Sequence, residues 1–157
     1  MIKANRDFTK TDYFTAALTR EKDFQHLRKE KECIVFSLYC AGVSIECMLR
    51  AYIKSYTDEF DEKHDLKKLF IKSLISEKLT DKEKEKITVN IEEANRIWNN
   101  NLRYCSTIRM KRILIHEIAG KNKQQQPKDF EKYLLNYKGK LFEIAKDFLT
   151  ITKKLWT

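Results

Sequence analysis

The chain has 157 residues, 42% hydrophobic and 35% charged, with 32 Lys and Arg against 23 Asp and Glu for a net charge of +9. A chain of this length buries roughly 68–70% of its unfolded surface, enough for one domain with a real core. Only 3 Gly and 1 Pro are present, far below the usual share of about 7% and 5%, which excludes a turn-rich β-sandwich or a Rossmann-type sheet and points to long helices with few loops.

Met1 to Lys10 carries charges where a secretory signal would have its apolar stretch, so the chain is expected in the cytosol. Thr11 to about Glu30 reads as a first helix, with Phe14, Ala17, Leu18, Phe24 and Leu27 apolar among charges. A second, from about Lys31 to Tyr56, is the hydrophobic centre: Ile34, Val35, Phe36, Leu38, Ala41, Val43, Ile45, Met48 and Leu49 leave little polar face, as on a helix surrounded by neighbours. Its most apolar stretch, Cys33 to Ile45, has 13 residues, short of the roughly 20 of a membrane span, so it reads as a buried helix and not an anchor. Cys33, Cys40 and Cys47 recur along it every seven residues; the helical rise sets neighbours about 10.5 Å apart, too far for a disulfide. With Cys105 they are expected to be reduced, and no spacing of Cys or His indicates zinc.

Thr57 to Asp65 is an acidic connector to a short third helix, Asp65 to Ile75. Thr80 and Glu83 have capping-box spacing for a fourth helix running to Trp98, which Asn99, Asn100 and Asn101 break. A fifth, Ser106 to Ala119, ends at Gly120. After KNKQQQ, Pro127 opens the last helix, on which Phe130, Tyr133, Tyr137, Leu141, Ile144, Phe148, Ile151 and Leu155 follow a three/four spacing. No internal repeat or second domain is visible, and residues 1–157 are expected to form a single all-α, up-and-down bundle of five or six helices.

Two features carry candidate chemistry. In the apolar run YCAGVSIECMLRAYI, Tyr39 to Ile53, Glu46 is the one carboxylate, and burying it is costly unless it is paired. It reads as a structural ion pair with Arg103, which follows an abrupt helix stop and precedes Tyr104, an aromatic expected to be packed; a catalytic Glu46 is the alternative. The second feature is charge. Arg103, Arg109, Lys111, Arg112, Lys121 and Lys123 face Glu117 alone within one segment, which holds five of the nine net charges. Such a patch either attracts phosphates, with salt-dependent binding, or is lysine-rich composition that clusters. Tyr104 is either a core residue or a platform for a base. His26 is expected on the exposed side of the first helix, and His64 at the start of the third, capping or packing without a metal partner. Gly-rich phosphate loops, Gly-x-Ser-x-Gly elbows, His-Glu-x-x-His motifs and isolated acidic pairs are all absent from the sequence, so an NTPase, metalloenzyme or glycosidase finds no support.

Taken in order, AGVSIECMLRAYI (Ala41 to Ile53), HDLKKLF (His64 to Phe70) and WNNNLRY (Trp98 to Tyr104) resemble the HEPN (higher eukaryotes and prokaryotes nucleotide-binding) superfamily of helical bundles. Ala41, Gly42, Glu46, Leu49, Arg50 and Ala51 match the family's central-helix pattern, and His64, Asp65, Leu66 and Leu69 match its helix opening. The resemblance covers Lys31 to Tyr104 well and the remainder weakly.

Many members are metal-independent ribonucleases that use an Arg, four to six residues, then His, supplied by both subunits of a dimer. The imidazole takes the ribose 2′-hydroxyl proton and the cation stabilises the phosphorane. Arg109 and His116, with six residues between them, fit this pattern, as do Arg20 and His26 with five. At about 100° per residue, Arg109, Arg112 and His116 fall within about 60° of one another, with Ile108, Met110, Leu114, Ile115 and Ile118 largely opposite. Met110 follows Arg109 where the family commonly has Asn, Asp or His.

The resemblance implies His116 as general base, Arg109 as transition-state stabiliser, Arg112 with Lys111 as phosphate clamp, and Lys121 and Lys123 as further contacts to RNA or nucleotide. The protein would be a homodimeric toxin or defence ribonuclease, without metal, cofactor or membrane. The alternative is a non-catalytic HEPN module that binds nucleotide or nucleic acid, or docks a partner such as an antitoxin or a nucleotidyltransferase. A structural bundle with an apolar dimer seam shares the same features.

Overall fold

The computed structural model describes residues 8–57, 59, 63–119 and 130–156, of which 114–119 and 130 as backbone. Among these are six α-helices and no strand: α1 (Lys10–Leu27), α2 (Ile34–Tyr56), α3 (Leu66–Lys72), α4 (Asp81–Ile97), α5 (Thr107–Ala119) and α6 (Phe130–Leu155). Short 3-10 turns at Lys31–Cys33, Ile75–Lys78 and Asn100–Tyr104 complete them. Gly120, Lys121, Lys123 and Pro127 lie outside the described residues.

Local chemistry sets the helix starts. Thr9 and Asp12 exchange bonds in a capping box that opens α1, the Thr9 amide donating to Asp12 Oδ2 at 2.8 Å. Thr80 and Glu83 repeat the device for α4, with the Thr80 amide 3.0 Å from Glu83 Oε2. Each box satisfies amides that the first helical turn leaves without partners. The third helix stops at Lys72, short of the Ile75 that its apolar pattern predicts. Leu74 adopts a left-handed backbone, φ 55°, and this reversal turns Ile75 into the core.

Side-chain contacts fix the directions of the four long helices. Phe14, near the start of α1, stacks on Trp156 just beyond α6 at 4.7 Å, while Phe24 near its end meets Phe142 at 5.0 Å, so the two helices run oppositely. Tyr52, near the end of α2, meets Trp156 at 5.1 Å and donates its hydroxyl to the Thr152 carbonyl at 2.7 Å, so α2 and α6 run together. On α4, Lys86 pairs with Asp147 at 2.6 Å and the later Glu93 with the earlier Lys140 at 2.5 Å, so α4 opposes α6. The result is an up-and-down arrangement of α1, α2, α4 and α6, with the shorter α3 and α5 between its members.

The buried residues form one contiguous cluster with members on all six helices. At about 1.5–3 kcal/mol for each large apolar side chain removed from water, α2 contributes most. It buries residues on nearly every arc, and its buried Ser37 and Ser44 donate to carbonyls three residues back at 2.7 and 2.6 Å. The helix Lys31–Tyr56 is long and apolar enough to cross a membrane by length and composition, more so than its 13-residue apolar run implies, but 67% of its most apolar 18 residues are buried inside the bundle. The seam of α6 is Leu134, Lys138, Leu141, Ala145, Phe148 and Thr152. The expected Tyr133, Tyr137, Ile151 and Leu155 lie half-buried on its flank. Thr152 enters the core at little cost because its hydroxyl donates to the Phe148 carbonyl at 2.8 Å. Lys138 enters because its ammonium donates to the Arg28 carbonyl at 2.8 Å, at the end of α1 where the helix dipole favours a cation.

Candidate nucleic-acid interface

Gly42 on α2 lets α4 end where it does. The Trp98 indole lies directly on this glycine, where a Cβ would overlap it, and Nε1 donates to the Tyr39 carbonyl at 3.2 Å. Asn99 then turns the chain, its Oδ1 accepting the Asn101 amide at 2.9 Å, and Leu102 anchors the turn in the core. Ser106 Oγ accepts the Arg109 amide at 3.1 Å, the bond of a serine that caps a helix start, and α5 leaves from there. Met110 is its buried anchor.

Arg109, Lys111 and Arg112 are all exposed on α5. Arg109 borders an open groove of about 380 Å³ between the Asn100–Tyr104 turn and the helix, together with Asn99, Asn101, Tyr104, Cys105 and Ile113, over Leu102. His116 follows Arg109 two turns along α5; its side chain lies outside the described residues. Ile108, expected on the buried arc, is 68% exposed. Among the α5 side chains described, Met110 is the buried one. Burial raises the Cys105 thiol above its ordinary range, against a smaller downward pull from Arg109, so this sulfur is neutral at pH 7 and no thiolate nucleophile.

Glu46 has partners other than the one its sequence setting indicates. It is 6% exposed and accepts from Arg50 Nε at 2.7 Å, one turn along α2, and from His64 Nδ1 at 2.9 Å. Arg50, 7% exposed, also donates to the Lys63 carbonyl at 3.1 Å. Arg103, the expected partner, is exposed and holds its guanidinium over the Tyr104 ring at 4.5 Å. The Glu46–Arg103 pair is thereby corrected. An arginine at i+4 on the same helix reaches the carboxylate without leaving the core, whereas Arg103 sits on a turn whose inward position is taken by Leu102. Tyr104 is corrected too: it is 76% exposed rather than packed.

No protein-family model, curated protein or solved structure matches the chain.

The residues that carry the sequence resemblance converge on one structural clamp. His64 reaches back to Glu46 on α2; Asp65 caps α3 by accepting the Lys68 amide at 3.0 Å; Leu66 is buried, and its amide donates to Asn95 Oδ1 of α4 at 2.9 Å. Three consecutive residues thus tie three helices together, and the buried carboxylate is committed to two bases. Arg50 was detectable in the sequence by its spacing from Glu46; His64 was not, because the turn that delivers it leaves no pattern. His26 is exposed on α1. Among the described residues, no group of three His, Cys, Asp or Glu side chains could hold a metal ion.

Proposed function

We propose that the chain is a HEPN-type helical bundle of the cytosol that acts on RNA, as a metal-independent ribonuclease of toxin or defence type working as a homodimer. The observation that carries this reading is the face of α5. Exposed Arg109 and Arg112 share an arc with the register position of His116, beside an open groove and within the most basic segment of the chain. In the proposed reaction His116 takes the proton of a ribose 2′-hydroxyl and the 2′-oxygen attacks the adjoining phosphorus. The 5′-oxygen leaves with a proton, giving a 2′,3′-cyclic phosphate and a 5′-hydroxyl. Arg109 stabilises the charge on the phosphorane, and Lys111 with Arg112 holds the phosphate. A second protomer brings a second set of the same groups, with Lys121 and Lys123 as further cations for the RNA.

One observation favours the non-catalytic alternative, a HEPN module that binds nucleic acid or nucleotide or docks an antitoxin or nucleotidyltransferase. Met110, where the family commonly has a polar residue, is the buried anchor of α5. The test is incubation of wild type and of Arg109→Ala and His116→Ala with total RNA and tRNA in EDTA. Cleavage by wild type alone, leaving cyclic-phosphate ends, supports the ribonuclease. Salt-dependent binding by all three without cleavage assigns the binding module.

A further inference from the structure

We infer that the groove between the Asn100–Tyr104 turn and α5 receives one unstacked base of a single-stranded RNA, with Tyr104 as its stacking platform. The inference rests on the RNA reading above and adds the form of RNA recognised.

The starting observation is that Tyr104 is 76% exposed at the border of a groove lined by polar and apolar side chains alike. A tyrosine usually buries most of its large ring, and here the exposed ring lines the same groove as the exposed Ile113. Its ring already carries the Arg103 guanidinium at 4.5 Å, an arrangement in which a cation and an aromatic plane together present stacking surface. The groove, about 380 Å³, has room for a base. Leu102 and Ile113 supply apolar contact, while the exposed Asn101, whose backbone is held by Asn99, brings an amide with both a donor and an acceptor for a base edge. Arg109 stands on the same rim, where the phosphate next to a seated base would lie.

The occupant follows from these chemistries together. Cations alone would serve any polyanion, and an apolar groove alone would serve a peptide. A stacking ring, an amide and a guanidinium around one small groove match a base and its phosphate. A duplex keeps its bases stacked on each other and leaves no base face free, so the Tyr104 groove distinguishes single strands from double strands while the α5 cations do not.

The experiment uses the full chain with 2′-O-methyl oligoadenylate of about twelve nucleotides, which spans a typical single-strand site. It lacks the nucleophile for cleavage, carries one 2-aminopurine, and is compared with the blunt duplex of the same length. Wild type is expected to bind the single strand more tightly and to quench the 2-aminopurine. Tyr104→Ala is expected to weaken the single strand by about tenfold, the cost of one lost base stack, with duplex binding unchanged. Tyr104→Phe, which keeps the ring, is expected to bind like wild type.

Equal binding of both forms by wild type, unaffected by Tyr104→Ala, overturns the base pocket and leaves the RNA reading standing. Binding of neither form overturns both. If Tyr104→Ala converts a dimer to a monomer by light scattering on the same samples, the face is a seam between two copies and the base pocket is overturned. Because Tyr104 is exposed, an unchanged melting temperature is expected in both variants, which separates loss of binding from loss of fold.

Discussion

Glu46 shows what a single buried charge demands. Arg50 and His64 both hold its carboxylate, and the side chain is only 8% exposed. Glu46→Ala leaves the Arg50 guanidinium buried beside an empty position, and removing one member of such a pair costs about 3–5 kcal/mol. Urea unfolding should show that loss, and far less for His64→Ala, because the His64 side chain is 42% exposed and water replaces it. The carboxylate's need of a partner was legible in the sequence, since Glu46 is isolated among apolar residues. Arg50 could be read from its i+4 spacing, but His64 could not, because a turn decides its nearness. Tyr104 makes the complementary point. An aromatic beside arginine reads the same whether its ring faces inward or outward, and Leu102 taking the inward position settles it. Cys47 and Cys40 differ from an ordinary thiol, burial pushing them up to about 12 and about 11. Alkylation at pH 8 should therefore leave both unmodified in the folded protein and reach them only after unfolding, which mass spectrometry can read.

The elements are held together by caps, close approach and ion pairs, each with its own signature. A methyl group at Gly42 overlaps the Trp98 indole, so Gly42→Ala must move the end of α4 off α2. Overpacking of this kind costs about 1–3 kcal/mol, and a red shift in tryptophan fluorescence should accompany the lower melting temperature. On the α4–α6 surface, Glu93 bridges Arg96 at 2.7 Å and Lys140 at 2.5 Å, and these hydrogen bonds, with Arg96 first, push its carboxyl down to about 2. A carboxyl whose folded value is depressed gives stability above its unfolded value and loses it as the pH falls through the folded one. Glu93→Gln should therefore be less stable than wild type at pH 7, by about 1 kcal/mol for so accessible a pair, with the gap closing between about pH 5 and 2. Helix beginnings were legible because Thr80 and Glu83 announce a cap at fixed spacing. The end of α3 was not, because Leu74 turns left-handed without the glycine that usually marks such a position.

At the scale of the molecule, five of the nine net charges fall in the segment from Arg103 to Lys123, and this predicts how RNA binding responds to salt. For single strands the logarithm of affinity falls with that of salt by about 0.7 per phosphate neutralised, so Arg109→Ala with Arg112→Ala should lower the slope by about 1.4. An unchanged slope would remove α5 from the interface. The all-helical class and a count of five or six helices were legible because few glycines and prolines leave long uninterrupted periodicities. How those helices pair was not, since each amphipathic face fits several neighbours and only contacts such as Phe14 on Trp156 choose among them. The bond from Tyr52 to Thr152 also sets an order in time. The side of α2 that Tyr52 presents to α6 has its cover nearly 100 residues later in the chain, and at about 5–20 residues per second a ribosome takes roughly 5–20 s to supply it. For that interval the side of α2 that meets α6 stays open even after α1, α3 and Trp98 have covered the rest, and the nascent chain is a natural client for any factor that shields greasy surfaces during synthesis.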